Sequence, residues 1–404
     1  MAVYEIKKLQ DLLGSEIVSV STTNLTSAGD NYASAIFSVV VTIKDGQKEK
    51  QIRAVAKMIP QNELIRKLFN SERTFRNEVA YYEKIAPCLT NFQKEHNLPD
   101  LFSSYPEFYG ARTSLDPSKD TVDNDAILLI QNIKETGFCT LDRKIGFDLD
   151  QTKLILDKMA ELHATAIALK TQKPQVFERD LRRFFAKFNM FEAEDDENQK
   201  LIDSIVDLLQ EDEFCVRNMK TIRARLEFSS GVTKTKNHEE FQKTPFASIV
   251  HCDLWSNNIM IKIVDDRAVD VKFVDYQMYE YSSLVRDVVF FVFTSVQLPV
   301  VQTNLDGLLV FYFERFGDWL KKLGCDTSIF KFEEFLEEMG SFVKWGEFYH
   351  IMLMLKPIYT LDKDTKDVDS LKQDDFMNSG GEMAEGCKPR AYFIVKELIR
   401  RGWL

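Results

Sequence analysis

The sequence predicts an α+β protein of two lobes, the first rich in strands and the second mainly helical. Three observations carry that expectation. The chain has 404 residues, more than one compact hydrophobic core usually holds. Period-two alternation and turn signals are concentrated before Pro60. Helical periodicity dominates beyond Asp150. The transition falls near Lys134 and divides the chain into lobes of residues 1–135 and 136–404.

In the first lobe, residues 5–13 read as a short amphipathic helix and residues 17–22 as a β-branched strand. A small, polar turn follows at residues 27–34. Phe37, Val39, Val41 and Ile43 then alternate along a strand, and Asp45-Gly46 predicts a type I′ hairpin, whose central residues need positive φ. A further strand covers residues 51–58 and stops at Pro60. Phe69, Phe75, Val79 and Tyr82 recur near the helical repeat, which predicts one helix over residues 62–85. Residues 126–130 form a short apolar strand ending in Gln131-Asn132.

In the second lobe, Asp150 is the expected N-cap of a helix reaching Lys170, with Ile155, Met159, Leu162, Ala166 and Leu169 on its buried face. Residues 192–197 are an acidic, solvated loop and residues 234–243 a polar link. Strands at 259–264 and 268–274 flank an Asp265-Asp266 turn. Helices follow, interrupted by a polar surface segment at residues 361–390 that is expected to be mobile.

Hydrophobic residues make up 45% and charged residues 28%, a soluble globular balance. The formal net charge of -11 opposes nucleic-acid binding, which needs Lys and Arg against phosphates. The six cysteines are scattered without a Cys-x-x-Cys pair, so neither a zinc site nor a disulfide framework is expected. The first residues lack a signal-peptide pattern. The most apolar window, Val288 to Val301, is broken by Thr294, Ser295 and Gln297 and is too short to span a bilayer. A cytoplasmic, monomeric protein is expected.

The strongest chemical signal is His251-Cys-Asp253-Leu-Trp-Ser-Asn-Asn258, of the form His-x-Asp-x-x-x-x-Asn. Phosphoryl transfer needs a base beside the acceptor hydroxyl and oxygen ligands for the metal on the triphosphate. Asp253 can supply the first, and Asn258 with Asp275, at the end of an apolar strand, the second. Such oxygens suit Mg²⁺, which keeps waters and shares substrate phosphates. A buried polar turn would use similar residues for geometry alone, but it would not require Asp275 where it stands. His251 reads better as a hydrogen-bonding post shaping the loop than as a proton carrier.

The first lobe offers the complement. Lys57 lies in the apolar strand Ala54-Val-Ala-Lys-Met58, on the face of Val55, and needs a partner. Glu78 on the following helix can be that partner and hold Lys57 against phosphates; singly, each also reads as a surface residue. The turn containing Gly29 and Asn31 precedes Lys57 between two strands, where a phosphate-covering loop belongs. No Gly-x-x-x-x-Gly-Lys-[Ser/Thr] sequence occurs, which argues against a P-loop enzyme. Asp287 is placed either to cap the helix after Ser283 or to accept N–H groups from the catalytic loop, and both readings stay open.

The combination of Gly29-Asp-Asn-Tyr-Ala-Ser34, His251-Cys-Asp-Leu-Trp-Ser-Asn-Asn-Ile-Met260 and Val274-Asp-Tyr-Gln277 resembles the insect ecdysteroid kinase-like (CHK kinase-like) family, which is related to choline kinases and aminoglycoside phosphotransferases. The resemblance runs from about residue 10 to the C-terminus, with Trp255, Asn257-Asn258 and Gln277 as its most specific marks. It implies a bilobal protein-kinase-like fold with ATP between the lobes. It implies Asp253 as base, Asn258 and Asp275 as Mg²⁺ ligands, and Lys57 with Glu78 on the phosphates. It further implies a hinge at Gln131-Asn-Ile133, with the Gln131 carbonyl and the Ile133 N–H on adenine. Two departures stand out: Cys252 replaces a usual glycine, and the hinge usually reads Glu-Asp-Leu. Members are associated with phosphorylating hydroxyls of ecdysteroids and of dietary or foreign compounds. Phe184, Phe185 and Phe188 would suit an apolar acceptor, although aromatics more often pack cores. A kinase of a polar cationic alcohol and a non-catalytic binding protein are the alternative readings.

Overall fold

The structure is a computed structural model and describes residues 5–25, 34–185, 195–235, 238–361, 368–370, 372 and 383–404. The first lobe is built on a five-stranded antiparallel sheet of β1 (Ile17–Asn24), β2 (Ala35–Asp45), β3 (Lys48–Met58), β4 (Phe108–Arg112) and β5 (Ile127–Gln131), in the order β1-β2-β3-β5-β4. Alternation sorts its side chains. Val39, Val41, Ala54, Ala56 and Leu129 bury one face under Leu9 of α1 (Leu9–Leu13). The opposite face carries Val55, Lys57, Leu128 and Ile130 toward Phe75, so Lys57 lies opposite Leu128 in register.

The β2–β3 hairpin turns on Gly46 and Gln47, not on Asp45 and Gly46, because Asp45 pairs with Lys48. Of these two residues only Gly46 has positive φ (64°), as in a type II′ turn rather than the expected type I′. The expected single helix over 62–85 is divided. Asn62 caps α2 (Glu63–Leu68), Asn70 at φ 45° breaks the run, and α3 (Ser71–Ala80) passes through a π turn at Tyr81–Ile85 into α4 (Ala86–Glu95). Asparagine tolerates that left-handed position better than most residues.

The second lobe is mainly helical. Its centre is α5 (Leu149–Gln172), which packs against a long later helix and two small sheets. Asp148, not Asp150, is its N-cap. The Asp148 carboxylate accepts the Gln151 N–H at 2.9 Å, and the Gln151 side chain accepts the Asp148 N–H at 3.0 Å. This capping box is worth roughly 1 kcal/mol. Next come α6 (Asp195–Leu209), α7 (Glu213–Arg217) and α8 (Met219–Thr235). The acidic run therefore starts a helix at Asp195, while residues 192–194 lie outside the described residues.

Strands β6 (Phe138–Cys139), β8 (Ile259–Val264) and β9 (Arg267–Phe273) form one small sheet, and β7 (Ala247–Val250) pairs with β10 (Glu280–Ser283). The β8–β9 turn has Asp265 and Asp266 at φ 48° and 59°. Helices α9 (Val285–Thr294), α10 (Leu298–Lys322), α11 (Phe332–Phe342), α12 (Phe348–Tyr359) and α13 (Cys387–Arg400) complete the lobe. Residues 387–390 thus belong to a helix rather than to the polar segment expected there, most of which lies outside the described residues. The short strands β4, β6, β7 and β10 carry too few residues for an alternating pattern to announce them. Among the described residues no helix is long and apolar enough to cross a membrane. The strand-rich and helical lobes make the bilobal protein-kinase-like arrangement that the sequence implies.

Candidate active site

The loop after β7 is fixed from several directions. The buried Asp287 carboxylate accepts the N–H groups of His251 at 2.7 Å and Cys252 at 2.8 Å. His163 Nε2 lies 3.2 Å from the same carboxylate, and Tyr312 Oη lies 2.7 Å from His163 Nδ1. Burial alone would raise Asp287, but its bonds to His163 and the loop hold it below the usual carboxylate range. Asp287 therefore serves the loop; no side chain caps α9 at its N-cap, Leu284.

His251 is fully buried and its Nε2 is 3.0 Å from the Val274 carbonyl, so Nε2 carries the proton and donates. Burial lowers its pKa, which keeps the ring neutral. Its ring also lies 4.7 Å from that of Tyr276. His251 joins the start of the loop to Val274, the residue before Asp275.

Cys252 has φ 70°, a left-handed conformation that glycine adopts without strain. This accounts for the glycine that the resemblance leads one to expect. The thiol is turned inward, packed with Val250 and Met278, with Sγ 3.6 Å from the Val250 carbonyl. Burial raises its pKa far above the ordinary value, so it stays protonated.

Asn258 binds Asp253 twice. Its Nδ2 donates to the Asp253 carbonyl at 2.8 Å and to Asp253 Oδ2 at 2.9 Å. That directs Asn258 Oδ1 away from Asp253. The Val274 N–H donates to the Asn258 carbonyl at 3.0 Å and ties this residue to Asp275 next along the chain. Asp275 itself has φ 66°. Gln277 Nε2 lies 3.5 Å from Asp275 Oδ2, where an acidic side chain would repel.

The first lobe meets this loop through an ion-pair triad. Lys57 Nζ is 2.6 Å from Glu78 Oε2 and 2.5 Å from Asp275 Oδ1. Lys57 and Glu78 are 4% and 2% exposed, so the ammonium must be paired to remain charged. Burial would lower its pKa, and the two carboxylates outweigh that and raise it. Burial and the Asp275 charge raise Glu78, with Lys57 offsetting part of the rise. Asn77 and Tyr81 strengthen the same junction: Asn77 Nδ2 donates to the Gln277 carbonyl at 3.3 Å, and the Tyr81 and Tyr276 rings stack at 3.6 Å. Burial, reinforced by Asp275, pushes the half-buried Asp253 up to about 8; Asn258, Lys57 and Arg286 act against the shift.

The segment Gln131-Asn-Ile133, expected to serve as a hinge, follows directly on β5. Gln131 ends β5 and its N–H donates to the Glu107 carbonyl at 2.8 Å. The Asn132 N–H donates to the Arg53 carbonyl at 3.0 Å, and its side chain accepts the Lys134 N–H at 3.2 Å. Asn132 thus caps the turn as an aspartate would. Ile133 packs with Phe138, Met260 and Val274. Gly29 and Asn31 lie outside the described residues, as does Phe188. Phe184 and Phe185 are half-buried, and Phe185 packs within 6.0 Å of Phe177, Tyr279 and Tyr281.

Among the described residues no group of three or more His, Cys, Asp and Glu side chains could hold a metal ion. The donor set of Asn258 and Asp275 nevertheless fits Mg²⁺, which takes one or two protein oxygens and completes its shell with phosphates and water. A groove of about 580 Å³ lined by Phe228, Phe241, Glu338 and Trp345 contains none of the residues above.

Sequence reasoning left Asp287 undecided and missed its partners His163 and Tyr312. The available signal was a histidine on the apolar face of α5, which requires a buried partner.

Among solved structures, the chain is similar to the ethanolamine kinase of Plasmodium vivax, with 13% identity and a TM-score of 0.42, covering 96% of this chain and 84% of that one. It is also similar to the aminoglycoside phosphotransferase APH(2″)-IIia in its GDP and kanamycin complex, with 11% identity, a TM-score of 0.37, and 86% and 95% coverage. No curated protein matches. The family model for the ecdysteroid kinase-like family matches residues 28–325, most of the chain including Lys57, Asp253 and Asp275, and the chain belongs to that family of small-molecule kinases.

Proposed function

We propose that the protein transfers the γ-phosphoryl group of ATP, with Mg²⁺, to a hydroxyl of a small molecule, an ecdysteroid or similarly apolar alcohol. The observation that carries this reading is the convergence of Lys57, Glu78 and Asp275 in one triad beside the Asp253–Asn258 pair. Family membership and the half-buried Phe184 and Phe185 support the acceptor class.

Asp253 Oδ1 accepts the proton of the acceptor hydroxyl as that oxygen attacks, while Oδ2 stays bound to Asn258. Asn258 Oδ1 and the Asp275 carboxylate would hold Mg²⁺, which neutralises charge on the transferring phosphates. Lys57, kept in place by Glu78, donates to the α- and β-phosphates. The Gln131 carbonyl and the Ile133 N–H bind adenine at the hinge. Asp287 prevents the loop from turning its base out of line.

The test is transfer of label from γ-labelled ATP and Mg²⁺ to a panel of ecdysteroids, apolar alcohols and aminoalcohols. Label on a steroid alcohol supports the reading. Label confined to aminoalcohols overturns the acceptor class, and Mg²⁺-dependent ATP binding without transfer to any alcohol points to a non-catalytic protein.

A further inference from the structure

The second side of Asp253 carries its own charged cluster. Arg286 is in electrostatic reach of both Cys252 and Asp253. Its Nη1 is 2.8 Å from Glu280 Oε2, and its Nε is 3.6 Å from Glu347 Oε2. Glu347 is buried and its other oxygen, Oε1, is 2.8 Å from His350 Nδ1. Both oxygens of Glu347 are therefore engaged.

Glu280 differs. Its side chain is 22% exposed, and among the described residues only Oε2 has a partner. It pairs in register with Val250, three residues before Asp253, so it stands at the catalytic end of the β7–β10 ribbon. An open carboxylate oxygen is ordinary on a surface when its side chain is free to move. Here an arginine that also faces the Glu347 carboxylate holds it. The result is an anchored hydrogen-bond acceptor at the ribbon end from which the Asp253 loop departs.

We propose, resting on the phosphotransferase reading above, that Glu280 determines acceptor specificity by binding a second hydrogen-bond donor of the acceptor, a hydroxyl or an ammonium group. Arg286 is the positioning residue that fixes Glu280. The acceptor is then an alcohol with an apolar body and a second polar group near the reacting hydroxyl.

The experiment compares kcat/KM for a matched set: a monoalcohol, the same alcohol with a second hydroxyl, and the same alcohol with an amino group. The wild type prefers a bifunctional acceptor by roughly 10- to 100-fold, the range of a charge-assisted hydrogen bond. Preference for the diol identifies a hydroxyl as the bound donor; preference for the amine identifies an ammonium. Glu280→Ala removes the preference, and the loss appears in the acceptor's KM while the KM for ATP serves as control. Glu280→Gln, which keeps the size and one acceptor oxygen, retains part of a diol preference and loses most of an amine preference. Arg286→Lys lowers the ratio in the wild-type background and leaves it unmoved when Glu280→Ala is present, because it acts through Glu280.

Equal kcat/KM across the set in the wild type, or an undiminished preference in Glu280→Ala, overturns the proposal and leaves the phosphotransferase reading standing. Absence of transfer to every alcohol sinks that reading instead. Calorimetric binding of the same three alcohols then decides the proposal, and equal affinities for wild type and Glu280→Ala overturn it.

Discussion

The two sides of Asp253 are built differently. On the side of Lys57, polar groups close on one another: Lys57 bridges Glu78 and Asp275, and Asn258 binds Asp253 twice. On the other side, Cys252 is turned inward, Arg286 pairs with Glu280 and faces Glu347, and Glu280 keeps one oxygen open. The triad and the Asp253–Asn258 pair are mutually satisfied, so their geometry is overdetermined. Around Arg286 one carboxylate oxygen stays open, and on the proposed function that is where a change alters the choice of acceptor.

The contrast can be broken from the side of Lys57 with the largest effect. Lys57→Met leaves two carboxylates near each other without their cation. It is expected to destabilise the protein by about 3–5 kcal/mol, the range for removing one partner of a buried ion pair, as read by denaturant unfolding. A loss below about 1 kcal/mol would show that the triad is not a buried ionic unit.

Asp287→Ala comes next. It orphans the N–H groups of His251 and Cys252 and the ring of His163. Each buried unsatisfied group costs about 1–3 kcal/mol, and turnover should fall with stability because the loop loses its anchor. Wild-type turnover from this variant would show that the loop holds its shape without Asp287.

A smaller effect concerns pH. Asp253 is raised to about 8 in the folded protein, chiefly by burial. The folded state then binds this proton more tightly than the unfolded state. Its contribution to stability is full at acid pH below the ordinary carboxylate range and is lost as pH rises through about 8. Asp253→Asn removes that loss. In the nucleotide-free protein without metal, the variant should gain on the order of 1 kcal/mol over wild type at alkaline pH, allowing for partial exposure, and nothing at acid pH. Melting curves across pH check this, and parallel curves would remove Asp253 as the source.

The smallest change is expected on the side of Cys252. Cys252→Gly relieves a left-handed residue and gives up a buried thiol. The two nearly cancel, leaving stability within about 1 kcal/mol. Because the thiol points into the loop core, turnover should change only a few-fold. A large gain in activity toward a bulkier alcohol would instead place Cys252 in the acceptor cleft.

The convergence of Asp253, Asn258, Asp275 and Lys57 was largely legible in the sequence because most of these residues stand in one short motif. Asp253, Asn258 and Asp275 lie within a single strand–loop–hairpin unit, and Lys57 announced itself as a charge in an apolar strand. The cluster around Arg286 was not legible. Glu280, Arg286 and Glu347 come from β10, α9 and the π turn before α12, and only tertiary packing brings them together. The helix after Pro60 was misread for a local reason, since Asn70 in a left-handed conformation interrupts an otherwise continuous apolar repeat. The choice for Asp287 also needed three dimensions, because capping and loop binding begin from the same helix position.

Phosphoryl transfer through Asp253 is tested most directly by following wild type and Asp253→Asn side by side with γ-labelled ATP, Mg²⁺ and a steroid alcohol. The expected result is label on the alcohol with wild type. With Asp253→Asn, Mg²⁺-ATP binds and the label moves roughly 10²–10⁴-fold more slowly, the contribution of a positioned general base. Near-wild-type transfer by Asp253→Asn would contradict it.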